Sequence, residues 1–189
     1  MTELEKYIHT YFGVNKEDLT KISSFFKPVT LKKGDYFLKI GRHSDRLGFV
    51  QTGIIREFVS MGDKEITKWI STKGYFVVDL SSFVFQQSAR WNIQALTDCE
   101  LYVIDSKDYQ KIGQVIPRWT ELEKLFIAKC FIVLEDRVLQ HLSMSAEERY
   151  NQLFNFNKEL FNQVPLQYLA SMLGMTPETL SRLRKKAAS

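Results

Sequence analysis

Near the C-terminal end of the 189-residue sequence, Glu178, Ser181, Arg182 and Lys185 recur three or four residues apart, the spacing that gathers side chains on one helix face. A guanidinium fork such as that of Arg182 binds the O6 and N7 edge of guanine bidentately, and a carboxylate such as that of Glu178 accepts from cytosine N4. Thr176 and Thr179 set hydroxyls beside the first amides of the same stretch, donors suited to phosphate oxygens. Lys185 and Lys186 add charge pairing to phosphate, and Gln167 joins the candidate DNA-contacting set from the preceding helical stretch. The competing reading is structural: helix pairs around a glycine occur in bundles, and basic residues in a last turn complement the helix dipole. Residues 164–189 carry four basic side chains against Glu178 alone, which is +3 of the chain's net +4. That charge follows directly on the candidate reading face, and this position weighs more than its size.

Two short helices must position these side chains. Leu166, Leu169, Ala170 and Leu173 give the first an apolar face, with Pro165 expected at its first position. Gly174 supplies a turn at positive φ, Thr176 an N-cap and Pro177 a first helical residue. Leu180 and Leu183 then point inward, which leaves the polar set outside.

Ahead of this pair the pattern changes twice. Residues 3–26 read as two short helices separated by Gly13, with Asn15 as a cap. From about 28 to 105, short runs rich in Val, Ile, Phe, Tyr and Thr alternate with turn signals, as in Tyr36–Ile40, Leu47–Gln51, Ile54–Val59, Glu65–Ile70, Trp91–Ala95 and Glu100–Ile104. Strands at this spacing predict a sandwich or jelly roll. Helical period returns over 107–115 and then, after Pro117, in a long helix to about Leu142. That helix is apolar on more than one side and so needs two partners. One is the β-domain; the other is the same helix of a second subunit, through an imperfect heptad of Leu122, Leu125, Ile132 and Leu139 interrupted by Lys129 and Asp136. Burial within a single subunit is the alternative. Ser145 and Glu148 form a capping box for a helix to about Asn157, and Asn162 and Gln163 lie in a polar connection before Pro165.

Composition excludes several other chemistries. Cys99 and Cys130 stand far apart, which fits a reduced, cytoplasmic protein without disulfides. No apolar run approaches a membrane span, and the N-terminal residues lack the pattern of a signal peptide. The three histidines, His9, His43 and His141, form no ligand pair, so a jelly-roll metalloenzyme is disfavoured. No Ser-His or Cys-His constellation stands out, and neither a catalytic residue nor a cofactor is expected.

The order of parts resembles the Crp/Fnr family of bacterial transcription regulators. The resemblance rests on Leu31-Lys-Lys-Gly-Asp35, Ile40-Gly41, Phe49-Val-Gln-Thr-Gly-Ile-Ile-Arg-Glu-Phe58, Ala95-Leu-Thr-Asp-Cys-Glu-Leu-Tyr-Val-Ile104 and the stretch from Leu166 to Lys185. It implies an α+β chain in three parts. Residues 1–116 would be a cyclic-nucleotide-binding-like double-stranded β-helix, or jelly roll, with flanking helices. Residues 117–142 would be the long connecting and dimerisation helix, and residues 143–189 an all-α helix-turn-helix domain. It implies a homodimeric DNA-binding regulator that reads a two-fold symmetric operator through the helix 176–186, with RNA polymerase and an unknown small-molecule effector as further partners. Glu178 and Arg182 match base-reading positions and Thr179 a phosphate-contacting one. Pro177 stands where well-known members carry another arginine, and the β-hairpin wing that usually follows the reading helix is missing before Ser189.

The resemblance also locates the family's nucleotide pocket at Val78, Asp79, Leu80, Ser81 and Arg90, the candidate effector contacts. Val78 replaces a glycine that lets phosphate approach backbone amides, and Asp79 replaces a glutamate. Arg90 lies at least one position off, which in a strand turns it to the opposite face, and Phe76 and Trp91 add bulk. Cyclic AMP is therefore not the expected ligand, and an ion pair between Asp79 and Arg90 is the competing structural reading. A different class of function stays open, a ligand-binding regulatory module that docks its terminal helices on a protein partner.

Overall fold

A computed structural model describes residues 1–188. Two helices come first, α1 (Glu3–Phe12) and α2 (Lys16–Ser23). Each is fixed by its cap. Thr2 and Glu5 form a reciprocal capping box, Gly13 ends α1 at φ 67°, and the Asn15 side chain accepts from the Asp18 amide.

Five strands follow: β1 (Lys27–Leu31), β2 (Tyr36–Leu38), β3 (Arg46–Thr52), β4 (Ile55–Met61) and β5 (Lys64–Ser71). The stretch that sequence pattern leaves irregular holds a short strand β6 (Phe76–Val77) and a one-and-a-half-turn helix α3 (Leu80–Phe85). β7 (Asn92–Ala95) and β8 (Cys99–Asp105) complete the β-region. The strands form two four-stranded sheets, ordered β1-β8-β3-β6 and β2-β7-β4-β5, which is the jelly roll expected from the turn spacing.

Helices then run to the end: α4 (Ser106–Val115), α5 (Trp119–Ser143), α6 (Ala146–Phe156), α7 (Leu160–Gln163), α8 (Leu166–Met172) and α9 (Pro177–Ala188). The short α7 occupies what the asparagines suggest is a polar connection. Leu160 and Phe161 are buried there, and their contacts hold the segment helical.

By contacts the chain divides into two compact units. The first comprises residues 1–57 and 70–130, with two apolar clusters. One lies inside the roll and includes Phe37, Val50, Ile55, Val77, Ile93 and Leu101. The other is aromatic and gathers Phe12, Phe49, Trp119 and Phe126 with Leu4, Ile8 and Ile22. Phe12 stacks on Phe126 at 4.5 Å and on Trp119 at 4.9 Å, so the start of α5 is seated by α1. Each such aromatic side chain contributes roughly 1.5–3 kcal/mol by burial. Tyr11 joins the cluster and donates to the Gly74 carbonyl at 2.9 Å; burial pushes its hydroxyl up to about 12, so it remains a donor at neutral pH.

The second unit comprises residues 58–69 and 131–189. Its core is built from Tyr150, Leu160, Phe161, Val164, Leu169, Leu173, Leu180 and Leu183. Tyr150, Phe154 and Phe161 form an aromatic triad with centroids 5.4–5.6 Å apart. Among the described residues no helix is long and apolar enough to cross a membrane.

Candidate nucleic-acid interface

The terminal pair forms as its side chains dictate. Leu169 and Ala170 of α8 are fully buried, as is Leu180 of α9, so the two helices cross over a small residue. Pro165 stands at the N-cap of α8, one position earlier than its sequence role suggests, because its ψ of 135° is not helical. At the other end the Gly174 amide bonds the Ser171 carbonyl and the Met175 amide bonds the Ala170 carbonyl, with Gly174 at φ 66°. This paired bonding is a Schellman turn, and it requires the left-handed residue that glycine supplies. α9 then starts as expected, with the Thr179 amide donating to the Thr176 hydroxyl at 3.2 Å and Pro177 at its first position.

Glu178, Arg182 and Lys185 are exposed on α9, Ser181 and Thr179 are half-buried, and Gln167 is exposed at the start of α8. The backbone amide of Glu178 and the Thr176 hydroxyl hold the Glu178 carboxyl below its ordinary range, so it is an anionic acceptor at neutral pH. The Thr176 hydroxyl also donates to that of Thr179 at 3.2 Å, which makes Thr176 a cap first and a phosphate contact second. Lys186 is exposed and also has a partner within the chain. Its ammonium binds both Glu147 carboxylate oxygens, at 2.7 and 3.0 Å, tying α9 to α6.

Two arginines that sequence pattern does not single out, and one histidine, support the turn. Arg149 of α6 donates to the carbonyls of Leu173 at 2.8 Å, Met144 at 2.5 Å and Gly174 at 3.4 Å. Arg137 of α5 donates to the Met172 carbonyl at 3.2 Å, and the His141 ring nitrogen Nε2 lies 3.4 Å from the same oxygen. These are the carbonyls that a helix end leaves without partners, and they carry its partial negative charge. A basic residue at helical spacing on α5 or α6 signals nothing by itself; only the fold shows which carbonyls it reaches.

In the roll, the candidate effector residues differ in their surroundings. Asp79 is buried; one carboxylate oxygen accepts from the Ser82 amide at 3.0 Å and the other from the Arg90 amide at 2.8 Å. The bond shown between Asp79 and Arg90 therefore runs from carboxylate to main chain, not to the guanidinium. Arg90 is exposed in a bend before β7, not within a strand. The Ser81 hydroxyl donates to Gln87 at 2.7 Å, Val78 packs on the aromatic cluster, and Leu80 is exposed. The Ser44 amide donates to the Ser82 hydroxyl at 2.6 Å, closing the network.

Residues 28–114 match the family model of the cyclic nucleotide-binding domain. Among solved structures, the chain is similar to the c-di-GMP responsive global regulator CLP of Xanthomonas campestris, at 15% identity and TM-score 0.69 over 92% of each chain. It is similar to the catabolite activator protein of Thermus thermophilus, at 22% identity and TM-score 0.60 over 96% of this chain and 86% of that one. FixK2 of Bradyrhizobium japonicum matches at 16% identity and TM-score 0.69, over 85% of this chain and 83% of its own. The chain shares the fold of these three proteins. No curated protein matches the sequence. Thr176 caps α9, which carries Glu178, Thr179, Ser181, Arg182 and Lys185, and Lys186 turns towards α6. Among the described residues no group of three or more His, Cys, Asp or Glu is placed to hold a metal ion.

Proposed function

We propose that this protein is a transcription regulator that binds DNA as a homodimer and reads a two-fold symmetric operator through α9. The observation that carries the reading is the exposed face of Glu178, Arg182 and Lys185 on a helix whose start is capped by Thr176 and whose supporting turn is held by Arg137 and Arg149. Base reading needs side chains fixed relative to the groove, and these fastenings supply that order. The match of 85–96% of the chain to solved Crp/Fnr-type structures supports the same role. No reaction is assigned to the protein.

The second subunit would pair along α5. Phe131, Ile132, Leu139 and Leu142 are all more than half exposed in the single chain, an apolar surface that water disfavours. Two reading helices related by a two-fold axis would then meet half-sites about 34 Å apart. In the roll, both Asp79 carboxylate oxygens are taken by main-chain amides and Val78 stands where a glycine would let phosphate approach, which argues against cyclic AMP as the effector. Any effector that acts must bind one dimer arrangement better than another.

Selection of genomic DNA fragments by the purified protein tests this directly. A palindromic consensus with half-sites one helical turn apart is expected. On that consensus, Arg182→Ala should cost about 1–3 kcal/mol and relax preference at one base pair, whereas Lys185→Ala should weaken all sequences alike and lower the salt slope by about one. Failure to enrich any sequence, or an Arg182→Ala protein with unchanged preference, would overturn the assignment.

A further inference from the structure

The hairpin made by β4 and β5 contributes residues 58–69 to the unit that contains the terminal helix pair. β5 is the edge strand of its sheet, so every second residue turns its N–H and C=O away from β4. At Glu65 and Thr67 those groups are taken by one side chain of α8. The Ser171 hydroxyl accepts from the Thr67 amide at 2.9 Å and donates to the Glu65 carbonyl at 3.3 Å, as an incoming strand would. A second fastening lies beside it. The Arg137 guanidinium stacks over the Trp69 ring at 4.6 Å while its Nη2 donates to the Met172 carbonyl, so one cation holds both the hairpin and the end of α8.

Ser171 follows Gln167 by four residues and shares its face of α8. The hairpin is therefore seated on α8 one turn along the face from Gln167, which itself stays exposed, and it brings the exposed Asp63 and Glu65 beside that turn. We infer that the hairpin is an autoinhibitory latch: its edge and a phosphate backbone compete for this face of α8, and DNA binding releases the contact. The inference rests on the DNA-binding reading above. By linkage, whatever loosens the latch tightens DNA binding, and saturating DNA loosens the latch by the same factor.

Amide hydrogen exchange of the full chain, read at Thr67, and fluorescence anisotropy on the selected DNA test it together. Ser171→Ala removes the hydroxyl without disturbing the helix. It should speed exchange at Thr67 and tighten DNA binding by about fivefold, the value of one net hydrogen bond. Ser171→Thr keeps a hydroxyl and should retain the wild-type behaviour in both measurements. In the wild type, saturating DNA should speed exchange at Thr67. Faster exchange in Ser171→Ala with equal or weaker DNA affinity would show that the contact does not restrain binding, and unchanged exchange would show that no latch exists. Absence of sequence-preferring binding in all three proteins would instead refute the regulator reading, and the inhibitory role would fall with it.

Discussion

Asp79 illustrates how one residue type supports two opposite readings. A carboxylate near the family's nucleotide pocket reads as a ligand contact in the sequence, yet its depth and bonds make it a structural cap. Both oxygens accept main-chain N–H bonds, one from Ser82 at the start of α3 and one from Arg90. Removing it strips a cap and leaves the Arg90 amide without its acceptor. Asp79→Ala should therefore destabilise the protein by about 2 kcal/mol, seen as a lower midpoint in denaturant with an unchanged slope. Calorimetric titration of the wild type with cyclic AMP should give no saturable heat. Saturable binding that Asp79→Ala abolishes would restore the residue to the ligand site. Gly53 is the contrasting case, legible at once. Its Thr52-Gly53 turn signal corresponds to φ 90° and to a backbone so close to Asp98 and Cys99 that no Cβ fits.

At the scale of elements, the helices with strong caps and the strands bounded by glycine were readable from sequence alone. Asn15, Ser145, Thr176 and Gly174 all stand at the ends that their chemistry suggests. The elements that escaped are short and depend on distant partners. α3 and α7 have six and four residues, too few for a helical period to show. The Ser171 contact with β5 joins residues about a hundred positions apart, and no local pattern encodes it. The turn between α8 and α9 shows the same mixture. Gly174 announces it, but Arg149 secures it through a fork that reaches Leu173, Met144 and Gly174 at once. Lysine carries the charge without that planar fork. Arg149→Lys should thus lower stability by about 1–2 kcal/mol and raise the exchange of the α9 amides more than those of the roll. Equal loss of protection in both regions would mean that Arg149 supports the whole molecule and not the turn.

At the scale of the molecule, α5 explains why a weak heptad need not mean a weak interface. Its first half spends Trp119, Leu122 and Phe126 on the aromatic cluster, and Lys129 bonds the carbonyls of Thr10 and Tyr11, so that Lys129 interrupts the heptad where the helix is facing its own chain. Among the apolar residues left exposed, Ile127, Phe131, Val138, Leu139 and Leu142 lie away from the face of Lys129. A single chain thus presents two turns and more of uncovered aliphatic surface, and a second copy of the same helix would bury it symmetrically. Leu139 is 62% exposed, so replacing it with glutamate costs the isolated chain little, while in a dimer the two carboxylates would face each other across an apolar seam. Leu139→Glu should keep the folded circular dichroism spectrum, shift the sedimentation coefficient from dimer to monomer, and weaken binding to a full palindrome far more than binding to a half-site. A monomeric wild type, or a variant that remains dimeric, would move the subunit contact away from α5.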